Sequence, residues 1–295
     1  MTIQFGDHAE RFTLLRPLLF TIAYEILGSV TESDDVLQDS YLRWAQVDLA
    51  AVRDTKSYLA QLVTRQALKA QRASARRREA YVGPWLPEPL LLDDRDASAD
   101  VVLAESVSMA MLVVLETLTP DERAVFVLHD VFGFEYSEIS EAVGKSSAAV
   151  RQIAHRAREH VHARRRRFDP VDSGQAAEIT QQFLTAATTG DMSGLVALLA
   201  PDVVTIADGG GAPGAARRPV VGAERVAGAI IKGMRPGLRF EIVTANGAPA
   251  IAVRADDHLV ALVTLEISAG RITRLYAIAN PEKLAAVDAP RAVTR

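Results

Sequence analysis

The densest run of groups able to recognise a charged or hydrogen-bonding partner is Lys145 to Arg167. It holds eight bases (Lys145, Arg151, Arg156, Arg158 and Arg164 to Arg167) and one acid, Glu159. Arg presents a planar fork that matches guanine, and Gln pairs with adenine in the same two-bond manner. Arg151, Gln152, His155 and Arg156 fall on one side of a helix by their spacing. A second basic run, Arg53 to Arg78, again carries eight bases (Arg53, Lys56, Arg65, Lys69, Arg72 and Arg76 to Arg78) and one acid, Asp54. The opposite chemistry stands at Asp34, Asp35 and Asp39. Proton transfer would need Asp202, Asp208, Asp256, Asp257 or His258, each with an orienting partner. Of these only Asp208, in Asp208-Gly209-Gly210-Gly211, sits in a glycine loop able to face a pocket. With no cysteine in the chain, thiol catalysis, disulfides and Cys-ligated metals are excluded. No cofactor motif and no metal-ligand spacing is expected.

The elements that must position these groups follow from periodicity. Ser137 to Val143 predicts a short helix with Ile139, Ala142 and Val143 inward. Gly144 supplies a left-handed turn. Beyond Ser146 and Ser147, a second helix buries Val150, Ile153, Ala154 and Ala157. This is helix-turn-helix patterning, whose second helix enters the major groove. Upstream, Thr119-Pro120-Asp121-Glu122 is a capping box with Pro at the first helical position. The N-terminal third predicts three helices. The first buries Leu14, Leu15, Leu18, Leu19, Ile22, Ala23 and Ile26 and ends at Gly28. The second starts at Thr31 or Ser33 and buries Val36, Leu37, Tyr41 and Trp44. The third runs from Ser57 to Arg78, and its Tyr58 is either a base-stacking ring or core.

Residues 79–100 hold three prolines, six acids and one base, Arg95, which reads as a linker. Trp85 within it is too large to leave wet, so it should dock. From Gln175 a helical stretch, Ala177 to Leu199, precedes strands at 239–243, 250–254, 259–267 and 271–279. This predicts helices on a mostly antiparallel sheet. Two basic helices, each of net +7, fit a phosphate backbone, although the chain has a formal net charge of −4. The first twelve residues lack a signal-peptide core. Uncharged stretches reach only about 12 residues, too short for a membrane span, so a cytoplasmic globular protein with no membrane partner is expected.

The order acidic helix, basic helix, acidic linker, helix-turn-helix resembles bacterial RNA polymerase sigma factors of the extracytoplasmic-function (ECF) type over roughly residues 8–166. The segment 31–44 is similar to the part of region 2 that docks on the polymerase clamp helices. This implies that Asp34, Asp35, Val36, Gln38 and Asp39 bind core RNA polymerase. The segment 57–72 resembles the part that melts and reads the minus-ten element, which implies roles for Tyr58, Arg65, Gln66, Lys69 and Arg72. Residues 118–158 resemble region 4, with Ser146, Ser147, Arg151, Gln152, His155 and Arg156 on the minus-thirty-five element. Promoter DNA is the second implied partner.

Trp85-Leu86-Pro87-Glu88-Pro89, Asp208 to Gly211, and Asn280-Pro281-Glu282-Lys283-Leu284 resemble a sigma-J-like subgroup with a fused SnoaL-like domain. The implied fold is two all-α modules (8–78 and 103–167) joined by 79–102, then an α+β NTF2-like cone at 174–287. The implied function is transcription initiation controlled in cis by the last domain. Trp85 is expected to dock there and Glu88 to pair with Lys283. Ala212 follows Gly211 where the subgroup often has a base. An apolar cone also leaves room for an unknown small-molecule effector. The rival expectations are a ligand-sensing helix-turn-helix regulator and a bifunctional enzyme working through Asp208.

Overall fold

The computed structural model describes residues 4–92, 101–164, 172–211, 216–285, 287 and 291–295. The acids Asp93 to Asp100, Arg95, Arg165 to Arg167 and Ala212 lie outside the described residues, as do the side chains of Arg76, Arg77 and Glu79.

Helix α1 (Gln4–Leu27) stops at Gly28, whose φ of +67° suits glycine. Helix α2 (Val30–Trp44) is capped by Ser29, whose Oγ accepts the Glu32 N–H at 3.1 Å. The cap therefore lies upstream of both expected positions. Ser33 is buried one turn in and donates to Ser29 O at 2.6 Å. Helix α3 (Thr55–Glu79) is capped by Asp54, which accepts the Ser57 N–H.

These three helices enclose Phe12, Leu19, Ile22, Ile26, Leu37, Trp44, Leu59 and Val63. Leu14, expected inward, is 80% exposed. Positions 12, 15 and 19 share the buried side of α1, and residue 14 points away from them.

The next helices are α4 (Val101–Ser106), α5 (Met109–Leu115) and α6 (Pro120–Phe126), the last opened by the complete Thr119–Glu122 capping box. One wider helical turn, Val127–Val131, continues α6. Then come α7 (Tyr136–Val143), the left-handed Gly144 at φ +68°, and α8 (Ser147–Arg164). Leu112, Val125, Val127, Ile139, Val150 and Ala154 join the same apolar cluster as Leu19 and Trp44. Two helical modules that the sequence presents in series thus share one core.

Helix α9 (Ser173–Thr189) and helix α10 (Met192–Leu198) replace the single helical stretch expected, because Gly190 (φ +72°) breaks it. Strand β1 (Leu199–Asp208), strand β2 (Val220–Val221) and helix α11 (Ala223–Gly233) follow. Strands β3 (Leu238–Ala245), β4 (Ala248–Ala255), β5 (His258–Ser268) and β6 (Arg271–Ile278) then form a meander, closed by helix α12 (Pro281–Leu284). The sheet order is β2-β1-β6-β5-β4-β3, with only the β1–β6 pair parallel.

One sheet face packs Ile251, Leu265 and Leu275 against Phe183, Leu195 and Val226 of the helices. The other packs Ala245, Ala250, Ala252 and Ile278 against Leu86 of the linker and Met109 of α5. Alanines there let the helical body approach closely. The linker prolongs the sheet past β3: Leu91 bridges Ala245, and Leu92 N–H donates to Thr244 O at 3.2 Å. This covers an edge strand that would otherwise expose its ladder.

A polar knot joins the two helical modules. Arg123 is fully buried and donates from Nε to Glu25 O at 2.6 Å. Glu116 bridges Arg123 and Arg78. Glu25 accepts from Ser106 Oγ at 2.7 Å through one oxygen, and the other has no hydrogen-bond partner among the described residues. Burial pushes the Glu25 carboxyl from 4.5 up to about 8. Between those values the folded chain holds a proton that the unfolded chain has released. Stability is therefore greatest below the lower value and is lost as pH rises through the upper one. Melting temperature should fall from pH ~5 to pH ~8. Glu25→Gln should remove that dependence, which amounts to ~1.4 kcal/mol of stability for each pH unit crossed. An unchanged slope in the variant would assign the titration elsewhere.

Candidate functional site

Helix α8 holds its buried side, Val150, Ile153, Ala154 and Ala157, against the core. That packing turns Arg151, Gln152, His155 and Arg156 to solvent together. Ser146 Oγ accepts the Ala149 N–H, so it opens the helix, and Ser147 is half-buried. The Arg151 guanidinium lies 5.7 Å from the Tyr136 ring centroid, which orients it. Arg158 turns inward instead. It is bound to Asp130 at 2.7 Å and to the Tyr136 hydroxyl at 2.9 Å. Four solvated groups able to reach base edges remain at the start of this helix.

On α3, Arg65, Lys69 and Arg72 are exposed along one line and Gln66 is half-buried beside them. Tyr58 is half-buried, with its ring tilted on Trp44 at 5.7 Å between centroids, so it packs against the core. Arg72 pairs with Asp121 of α6 at 3.1 Å, and Asp121 also holds Lys145 at 3.1 Å. Ser57 donates to Glu138 of α7. The basic face of α3 is thus tied at both ends to the helix-turn-helix module.

On α2, Asp35, Gln38 and Asp39 are exposed and Leu42 is 56% exposed beyond them. Val36 belongs to the core at 5% exposure, so it backs this face rather than offering a contact. Asp34 is half-buried between Arg16 and Arg291.

The linker, the glycine loop and the Asn280 turn meet at one point. Asp208 is fully buried. Its Oδ2 accepts the Leu86 N–H at 2.9 Å and Lys283 Nζ at 2.7 Å, while Oδ1 accepts the Tyr81 hydroxyl and the Gly210 N–H. Asn280 donates from Nδ2 to the Tyr81 oxygen at 2.8 Å and caps α12, where Pro281 takes the first position. A Cβ on Gly210 would lie 2.7 Å from Asn280 Cγ, so glycine is required there. Lys283 Nζ sits 3.3 Å from the Trp85 ring centroid, and Arg78 faces the same ring at 5.0 Å. Burial pulls the Lys283 ammonium down in pKa, and the Asp208 carboxylate opposes it. Burial and the bond to Asp208 both push the Tyr81 hydroxyl up.

The expected Glu88–Lys283 pair does not form. Glu88 instead caps the second helix: Oε2 accepts the Val30 N–H at 2.7 Å and the Thr31 N–H at 3.1 Å, and Oε1 accepts Ser29 Oγ at 2.8 Å. Its charge sits at the positive end of α2, which explains a buried carboxylate there. Trp85 is half-buried between the two cations, and the deeper anchor is Leu86 at 1% exposure, flanked by buried Pro87, Pro89 and Leu90.

A pocket of about 440 Å³ opens on the other face of the sheet, lined by Phe183, Ile230, Phe240, Ile251 and Leu275. Strand alternation sends Val203, Thr205 and Ala207 toward that face and Asp208 away from it. Asp208 is therefore absent from the pocket, which corrects the expectation that it faces one. The polar side chains in the described lining are Thr205 and Arg235.

A family model described as "Sigma-70, region 4" matches residues 108–161. The chain is 35% identical over 290 residues to "ECF RNA polymerase sigma factor SigJ" of Mycobacterium tuberculosis, covering 93% of this chain and 92% of that protein. It is 29% identical to "Probable ECF RNA polymerase sigma factor SigI" of the same species, covering 91% and 92%. The crystal structure of M. tuberculosis SigJ superposes with a TM-score of 0.75 at 31% identity, over 95% of this chain and 99% of that one. The chain belongs to the ECF RNA polymerase sigma factors. The region 4 match lies within the helical body, and the C-terminal domain is an α+β sheet with helices packed on one face.

This sigma factor also has a junction residue that sequence reasoning missed. Asn246, at φ +52° in the β3–β4 turn, is 1% exposed. It donates to the Tyr24 hydroxyl and to Val107 O, both at 2.8 Å, and accepts the Leu90 N–H at 3.1 Å. Asn-Gly signals a tight turn, but nothing in the sequence shows such a turn plugged into another domain.

The Asp208–Lys283 pair is legible as an energy. Lys283→Met should strand a buried carboxylate and cost ~3–5 kcal/mol. The double variant Asp208→Asn/Lys283→Met should recover most of that loss in urea denaturation. Two losses that simply add would mean the pair is not coupled.

Proposed function

We propose that this sigma factor binds core RNA polymerase through Asp34, Asp35, Gln38 and Asp39 of α2. Its α3 helix would open and read the minus-ten element with Arg65, Gln66, Lys69 and Arg72. Its α8 helix would read the minus-thirty-five element with Arg151, Gln152, His155 and Arg156, Ser146 and Ser147 contacting phosphates. The observation that carries this is the solvated quartet on α8 behind the left-handed Gly144, within the segment matched to region 4. Bond chemistry belongs to the polymerase.

Geometry supports cis control. The two promoter elements lie about 25 base pairs apart, roughly 85 Å at 3.4 Å per step. Here α3 is bound directly to α6 and α7. Both readers cannot reach their elements in this closed form, so polymerase and DNA must part the modules. The C-terminal domain opposes that parting: its Asn246 turn holds α1, and its Asp208–Lys283 pair holds the linker. Trp85, Leu86, Gly210 and Asn280 act in this control through the same junction.

The small-molecule effector rests on one atom. Thr205 Oγ1 is buried without a hydrogen-bond partner among the described residues, and Thr205 lines the apolar pocket. An apolar molecule with one hydrogen-bonding group suits it. Native mass spectrometry of the purified chain should show a non-covalent adduct that Leu275→Trp abolishes. Adduct-free protein would remove the effector from this reading.

Run-off transcription with purified core enzyme tests the main reading. Promoter-specific transcripts are expected, and none at all would defeat it. Arg151→Ala should weaken specific promoter binding by ~1–3 kcal/mol. An equal loss on unrelated DNA would reassign Arg151 to phosphate contact.

A further inference from the structure

The face that α2 offers to a basic partner is already occupied by the chain itself. Residue Arg291 reaches back across the molecule to Asp34. Its guanidinium is 2.7 Å from Oδ2, while Arg16 of α1 holds Oδ1 at 3.2 Å. Three further contacts fix the segment. The Arg291 N–H donates to Leu91 O at 2.9 Å, and the residue bridges Leu92 in parallel. The Arg291 guanidinium lies 5.2 Å from the Phe20 ring centroid. Val293 is 3% exposed within the helical core. Beside the pair, a groove of about 560 Å³ runs between α1 and α2, with Phe12, Leu37, Gln38 and Tyr41 in its walls and Arg291 at its rim.

We propose that residues 291–293 are an intramolecular stand-in for core RNA polymerase, with Arg291 filling the site on Asp34 that a basic polymerase side chain takes in the complex. This rests on the polymerase reading of α2. Both oxygens of Asp34 face a guanidinium, so a third cation brought to the same carboxylate meets like charge. Arg16 is fixed on a packed helix. Arg291 is held by one backbone bridge and one buried valine, so it is the group that leaves. Exchange replaces one Arg–carboxylate pair by another. The segment therefore taxes polymerase affinity by the fraction of molecules in which it is docked. It need not block the complex outright. Asp35 and Asp39 make no ion pair among the described residues and remain open for first encounter.

Binding of fluorescently labelled full-length chain to purified core RNA polymerase tests this. If the segment is released in about one molecule in ten, Arg291→Ala should bind up to about tenfold more tightly than the parent chain. Val293→Ala, which loosens the segment while keeping Arg291, should shift affinity in the same direction by less. The advantage of Arg291→Ala should shrink in high salt, because a half-exposed pair is screened. Parent binding with both variants equal or weaker would overturn the stand-in and leave the polymerase reading intact. No binding by any of the three would overturn both.

Discussion

The buried carboxylate of Asp208 is the interaction on which the arrangement of this sigma factor depends. It is fully removed from water and receives an ammonium, a phenol and two backbone N–H groups. A charge in that position is tolerable only with its hydrogen-bonding capacity filled. Two of its donors, Tyr81 and Leu86, belong to the linker, while Lys283 and Gly210 belong to the C-terminal domain. The carboxylate thus makes the linker part of the domain's own polar interior. Placement of the linker in turn places Glu88 at the start of α2, and Leu90 to Leu92 along the edge of β3.

Much of this was legible in the chain. The apolar periodicities of α1, α2 and α8, the Thr119 capping box and the Gly144 turn are local devices, and local devices are written in local sequence. Strand β1 was not legible. It follows α10 with no polar break, and it pairs on both sides within the sheet. Its side chains therefore lack simple alternation, and the sequence shows only a helix-to-strand junction near Pro201 and Asp202. Partners of buried charges were equally hidden. Glu88 and Lys283 both need a counterpart, and pairing them satisfies composition. The fold satisfies them separately, one with a helix terminus and one with Asp208. Val36 carried two expectations, core by its helical stripe and partner contact by the family resemblance, and the fold takes the first.

The formal charge of −4 pointed away from nucleic acid because it sums over surfaces of opposite sign. Arg151 and Arg156 of α8 stand in solvent, while Arg158 is answered by Asp130. The bases of α3 are partly answered in cis by Asp121 and Glu116. The acids of α2 divide in the same way, with Asp34 neutralised and Asp35 and Asp39 open. The closed form thus satisfies in cis some of the charges that its partners would meet. Each such pair is worth little where it is exposed, so opening is opposed mainly by the common core and the Asn246 plug.

That division assigns different duties to the two ends of the linker. Asp208 and Lys283 remain paired with each other if the linker departs, since both belong to the C-terminal domain. Glu88 has no such insurance. Its partners are the first N–H groups of α2, and withdrawing it leaves those donors to Ser29 and water. A pull on the linker therefore takes two donors from the buried Asp208 carboxylate and uncaps α2, the helix proposed to meet the polymerase. The same helix is held one turn on by Arg291 through Asp34. On the proposed reading, control of this sigma factor converges on α2 from both sides of the sheet domain, through the linker that precedes it and the segment that follows it.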